Sequence, residues 1–165
     1  MYSLNVPIPG SVGALAGDLA RRLHNARQRP RGERTLVVKR LGAGPYGELE
    51  ARTREAISGT APFAARIDAV DVFTDPPTGT GPVVYLAVES PALRALHERL
   101  CAAFDPVDGI EGDGYVPHVT VARGGDPDAA HAIAGPVDPL EWTVDALALY
   151  DAERRTFASR VSLPA

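Results

Sequence analysis

Residues 115–125, YVPHVTVARGG, place an imidazole and a hydroxyl two positions apart. On a strand, His118 and Thr120 project from one face, about 7 Å apart along the backbone, while Val119 and Val121 turn to the other. Val116 precedes Pro117, which biases it toward extended backbone, so the strand is primed before the histidine arrives. An imidazole that titrates near neutral pH can give or take a proton. A threonine hydroxyl can bond a phosphate oxygen, and Arg123 just beyond offers the planar fork that suits phosphate. Together these residues spell a phosphate site with one acid–base group. The plain alternative is an ordinary histidine on an ordinary strand.

An earlier stretch, ERTLVVKRLG at residues 33–42, echoes this one without a histidine. Two registers are open. Pairing His118 with Arg34 sets Leu36 against Thr120; pairing it with Thr35 matches Arg123 to Arg40 and Gly125 to Gly42. Residues 21–40 hold eight basic side chains against one acid, Glu33, a net of +7, so the remainder carries −11 of the overall −4. That block is either a phosphate-facing rim or a set of solvated arginines on a helix end and loop. Arg34, Lys39 and Arg40 fall where they would flank a cleft, whereas Arg21 to Arg31 read as loop charge.

The elements that must carry these residues follow from pattern. Residues 2–8 form a strand closed by Pro9-Gly10. Ser11 caps a helix to about Ala26, striped by Val12, Leu15, Leu19 and Leu23. Strand 34–41 ends in glycines, and residues 46–58 are helical with Gly59 as a stop. Strands 63–74 and 82–89 make a hairpin. Ser90-Pro91 opens a helix to about 104 with Leu93, Leu96, Leu100 and Phe104 on its apolar stripe. Strand 115–122, a short helix at 126–134 and a hairpin of 141–150 with 156–163 complete the chain. The order is β-α-β-α-β-β-α-β-α-β-β, an α+β domain with a largely antiparallel sheet system and outer helices. Strand 2–8, helix 11–26 and strand 34–41 repeat as strand 82–89, helix 91–104 and strand 116–122. Two such lobes would face each other about a pseudo-twofold axis, with their second strands lining one cleft.

Within that repeat, PHVTVAR resembles the second motif of the 2H phosphoesterase superfamily, which includes 2′-5′ RNA ligase-like proteins and RNA cyclic phosphodiesterases. The resemblance covers nearly the whole chain and implies a single bilobal α+β domain over 1–165, with repeat units at about 1–60 and 80–135. It implies two His-x-Thr/Ser motifs flanking a central cleft, one imidazole activating the attacking oxygen and the other protonating the leaving one. His118 and Thr120 would be the surviving catalytic pair, Arg34 and Thr35 the altered first motif, and Lys39, Arg40, Tyr115 and Arg123 further contacts for charge or base stacking. Substrates would be RNA ends or small nucleotides with 2′,3′-cyclic or 2′-5′ phosphates, and no metal or organic cofactor is required. The departure at the first motif matters, because arginine stays protonated and cannot serve as a general base. A slow enzyme or a nucleotide- or RNA-binding module using the same cleft would result.

Composition narrows the remainder. The 165 residues fit one domain, with 45% hydrophobic and 23% charged residues, as in soluble globular proteins. No apolar run reaches the roughly 20 residues of a membrane span, and the N-terminus lacks a signal-peptide pattern. The single cysteine, Cys101, excludes an internal disulfide and reads as a buried structural thiol. No Cys/His cluster has zinc spacing. His24, His97 and His131 fall on predicted helices as surface or packing residues. The expectation is a cytoplasmic monomer.

Overall fold

The computed structural model describes residues 1–30 and 34–165, so Arg31 and Glu33 of the basic block lie outside the described residues. The elements are β1 Tyr2–Pro7, α1 Gly10–Arg21, β2 Arg27–Gln28, β3 Thr35–Gly42, α2 Tyr46–Ile57, β4 Phe63–Phe73 and β5 Val83–Glu89. They continue with α3 Pro91–Ala103, β6 His118–Arg123, α4 Pro127–Ala132, β7 Gly135–Val144, β8 Ala146–Asp151 and β9 Thr156–Ser162. The sheet order is β7-β4-β5-β6-β3-β1-β8-β9, with β2 attached to β6. Every pairing is antiparallel. The expected α+β class and mainly antiparallel sheet are thus present.

Strands β3 and β6 meet at the centre through one register pair, Leu36 with Val119. Two helices reinforce this narrow seam from one face of the sheet. Helix α1 packs on β6 and α3 packs on β3, so each helix crosses to the strand of the other half. Leu36, Val38, Val119 and Val121 are fully buried in the shared core with Val12, Leu19, Leu93 and Leu100. Each such side chain removed from water is worth roughly 1.5–3 kcal/mol. The seam is therefore held by packing more than by its ladder.

Local chemistry explains the helix boundaries. The Ser90 hydroxyl accepts from the Leu93 N–H at 3.2 Å, with Pro91 in the first turn, which is the start the sequence advertised. Helix α1 differs: it begins at Gly10 behind Pro9, and Ser11 makes no cap. It also ends at Arg21 rather than near Ala26. The chain turns through Asn25, whose φ of 61° is left-handed, and enters the unpredicted strand β2. The expected strand 141–150 is two strands. Residues up to Val144 pair with β4 at one end of the sheet, and those from Ala146 pair with β9 and, from Ala148, with β1 toward the other. Strand β7 lies at the sheet edge, where Pro136 and Pro139 are tolerated because an edge strand pairs on one side only.

The two halves coincide residue by residue at the centre. In β1–β3 the pairs are Pro7–Thr35, Val6–Leu36, Asn5–Val37, then Leu4–Lys39 and Ser3–Arg40. In β5–β6 they are Ala87–His118, Leu86–Val119, Tyr85–Thr120, then Val84–Ala122 and Val83–Arg123. Both ladders skip one residue at the same place, at Val38 and at Val121. Gly42 and Gly125 follow with φ of 82° and 85°. The pseudo-twofold therefore equates Thr35 with His118, Val37 with Thr120, Lys39 with Ala122 and Arg40 with Arg123. Of the two registers open in the sequence, the ladder selects the second.

Candidate functional site

On the sheet face opposite α1 and α3, β3 and β6 border a cavity of about 260 Å³. Alternation sends Thr35 and Val37 to it from β3, and His118 and Thr120 from β6. The extra residue in each strand shifts the phase by one, so the next side chains to reach the cavity are Arg40 and Arg123. Each strand thus presents positions i, i+2 and i+5.

His118 is half-buried, and its ring meets Phe73 and Tyr85 edge-on, both at 5.3 Å between centroids. Phe73 and Tyr85 stack on each other at 4.1 Å, and the Tyr85 hydroxyl donates to Asp71 Oδ2 at 3.2 Å. Nδ1 lies 2.7 Å from the Val116 carbonyl. A carbonyl only accepts, so Nδ1 carries the proton and neutral His118 keeps its lone pair on Nε2. Burial lowers the histidine pKa below its ordinary 6.5, and Arg40, Arg123 and Arg29 push the same way against the Val116 bond. Such a histidine is a proton acceptor at neutral pH.

The matching place in the first half is chemically different. Thr35 Oγ1 accepts a hydrogen bond from Asn5 Nδ2 at 3.0 Å, leaving its own proton to offer to a bound oxygen. Asn5 is the counterpart of Tyr85, so the Asn5–Thr35 contact replaces the Tyr85–His118 contact. Val37 stands where the second half has Thr120, and removes a hydroxyl. At these two positions the first half can offer a hydroxyl to a phosphate but no imidazole.

Four arginines line the cavity, Arg29, Arg34, Arg40 and Arg123, with Arg34 at its rim. Arg29 was expected among solvated loop charges. Instead β2 pairs with the end of β6, Arg27 against Arg123, and the Arg29 N–H donates to the Val121 carbonyl at 3.3 Å. Arg123 Nη1 donates to the Thr78 carbonyl at 3.0 Å. Its pKa is lowered by burial and by its neighbours Arg29 and Arg40. Like charges held this close favour an anion between them.

Other sequence candidates lie elsewhere. Lys39 points away from the cavity because the bulge turns it with Val38 into the core, and it is 0% exposed. Its Nζ donates to Glu111 Oε2 at 2.6 Å and to the carbonyls of Arg40 and Asp105 at 2.8 and 3.0 Å. Burial raises the Glu111 pKa, but bonds from Lys39 and from the Arg40 and Val107 N–H groups hold it below the usual carboxylate value. Lys39 is therefore a buried structural cation, not a substrate contact. Tyr115 is also buried. Its hydroxyl donates to the Val37 carbonyl at 2.8 Å and its ring stacks on His97 at 3.7 Å, so it is a wall beneath the site rather than an open stacking platform. Arg34 reaches the cavity rim but sends Nη1 to the Gly13 carbonyl of α1 at 3.1 Å.

His97 is buried as a packing residue. Its Nδ1–H meets the Val38 carbonyl at 2.7 Å and its Nε2 accepts from the Gly112 N–H at 2.9 Å. Cys101 is half-buried beside it, 3.4 Å away. His24 and His131 are exposed. Asn5, Arg29, Phe73 and Tyr150 escaped the sequence reading. The repeat alignment of strand 2–8 with 82–89 held the signal for Asn5, since it sets Asn5 opposite Tyr85. Among the described residues no group of three or more His, Cys, Asp or Glu could hold a metal ion. No helix there is long and apolar enough to cross a membrane.

The model of the 2′-5′ RNA ligase superfamily matches residues 35–156, from Thr35 through β8. The chain belongs to the 2′-5′ RNA ligase superfamily, and so to the 2H phosphoesterases. Solved structures of this fold align over nearly its full length. TT0787 of Thermus thermophilus shares 24% identity, with a TM-score of 0.72 over 98% of this chain and 97% of that one. Escherichia coli LigT complexed with NADP+ shares 18% identity, with a TM-score of 0.69 over 99% and 97% of the two chains. LigT complexed with 3′-AMP shares 17%, with a TM-score of 0.69 over 99% and 98%. No curated protein matches this superfamily member in sequence.

Proposed function

We propose that the chain binds a phosphate-bearing ribonucleotide or RNA end in the cavity between β3 and β6, and that it is a phosphoesterase of reduced power. The observation that carries this reading is His118, with Nδ1 tied to a carbonyl and Nε2 available, beside Arg29, Arg40 and Arg123. The guanidiniums neutralise phosphate charge, Thr120 and Thr35 offer hydroxyls to its oxygens, and His118 takes a proton from the attacking water or hydroxyl. The LigT complexes with 3′-AMP, ATP and NADP+ support adenine-nucleotide-sized ligands for this fold. Linkages of the 2′,3′-cyclic or 2′-5′ kind are the first substrates to try. Binding should weaken with salt, since guanidinium–phosphate pairing dominates it.

Thr35 and Val37 favour a second reading, a binder without turnover. Calorimetric titration with adenosine 2′,3′-cyclic phosphate, followed by product analysis, separates the two. Binding lost in Arg123→Gln together with slow turnover lost in His118→Gln supports the enzyme. Binding with no product supports the binder. No binding of the cyclic phosphate or of inorganic phosphate removes both.

A further inference from the structure

The two sides of the cavity are unequal in one chemical respect. His118 can accept a proton through Nε2, but the position related to it by the pseudo-twofold is Thr35, fixed by Asn5 at 3.0 Å. A threonine hydroxyl donates a hydrogen bond without giving up its proton near neutrality. The other donors lining the cavity are guanidiniums, which stay charged, the hydroxyls of Tyr2, Ser3, Thr120 and Tyr150, the Asn5 amide and the Met1 ammonium, which Glu153 Oε1 holds at 2.9 Å; none of them occupies the position across the pseudo-twofold from His118. A leaving oxygen on the Thr35 side is therefore stabilised by charge and hydrogen bonds but meets no imidazolium to protonate it. A ribose alkoxide is too basic to depart readily on those terms, whereas a phosphate oxygen departs without protonation. Arg40 and Arg123, at twofold-related positions with Arg29 beside them, can hold two adjacent phosphates as well as one.

We propose that the preferred substrates are nucleotides joined through a phosphoanhydride, whose leaving group is itself a phosphate, rather than esters whose leaving group is a ribose hydroxyl. This rests on the cavity being the phosphate site proposed above. In the step, a water oxygen bonds to one phosphorus as a water proton passes to His118 Nε2. The bond from that phosphorus to the bridging oxygen breaks, and its electron pair stays on the departing nucleoside monophosphate. His118 then returns its proton to solvent.

The test compares rate enhancement over uncatalysed hydrolysis for three probes: diadenosine pyrophosphate, adenosine 2′,3′-cyclic phosphate and a series of substituted phenyl esters of adenosine 5′-phosphate. The missing acid is worth about 10²–10⁴-fold, so the enhancement for the pyrophosphate should exceed that for the cyclic phosphate by at least ~10². Rates along the phenyl series should climb steeply as the leaving phenol becomes more acidic. In Thr35→His the gap between pyrophosphate and cyclic phosphate should narrow toward unity. Equal enhancements in the wild-type protein, or a flat phenyl series, overturn the proposal while leaving the phosphate site standing. Binding of cyclic phosphate with no turnover of any probe overturns it in the same way. Loss of all phosphate binding takes the site and the proposal together.

Discussion

Strands β3 and β6 have the same backbone and opposite chemistry. Five ladder pairs, one bulge and a left-handed glycine coincide between them. Yet β6 delivers imidazole and hydroxyl where β3 delivers hydroxyl and valine. The bulge serves two ends at once, because it returns Arg40 and Arg123 to the cavity and turns Lys39 and Ala122 into the core. A fold of this kind fixes where side chains point and leaves open what they do. The arginine positions are paired across the axis, and the histidine position is not.

The comparison can be broken hardest at His118. His118→Gln should lower turnover by about 10²–10⁴-fold with binding nearly intact, read as kcat falling with little change in ligand Kd. Supplying the missing half in reverse, Thr35→His with Val37→Thr, should raise cyclic-phosphate turnover by a comparable factor. Histidine placed at 34 should give no gain, since that side chain faces α1. A further difference is Lys39, paired with Glu111 where its counterpart in the second half is Ala122. Lys39→Met strands a buried carboxylate and should cost about 3–5 kcal/mol in denaturant unfolding, with much of it recovered when Glu111→Leu is added. At the seam, Leu36→Ala and Val119→Ala should both destabilise, Leu36→Ala by about 2–5 kcal/mol and Val119→Ala by less. The smallest effect is on proton affinity. Arg40→Gln and Arg123→Gln each remove a cation that disfavours imidazolium, so the acid limb of the rate profile should move up in pH toward the ordinary histidine value. Salt should move the wild-type limb in the same direction.

Much of this was legible in the sequence, and its failures have physical causes. The Leu-striped helices, the Ser90 cap, the repeat and the His118 strand follow from local periodicity. Lys39 misled because strict alternation aims it at the cleft, and a bulge leaves no mark in a single strand's residue types. Arg29 was set aside as loop charge because β2 is two residues long, made by pairing with β6 rather than by its own propensity. The break at Asp145 was hidden in EWTVDALALY, which reads as one strand and cannot show that its two parts pair at distant places in the sheet. Asn5 is one polar residue in the first strand, and its role appears only once β1 and β3 pair and bring Thr35 Oγ1 within 3.0 Å of its amide.

The central claim is that one group, His118, governs proton transfer in the cavity and does so as a base. The most direct test is the pH dependence of kcat/KM on a nitrophenyl ester of adenosine 5′-phosphate. A lone base whose proton affinity is lowered by burial and by three arginines predicts activity that rises through a single limb below 6.5 and then stays level through neutrality. A bell-shaped profile with a second, descending limb near neutrality would reveal a general acid that Thr35 cannot supply, and would contradict the account.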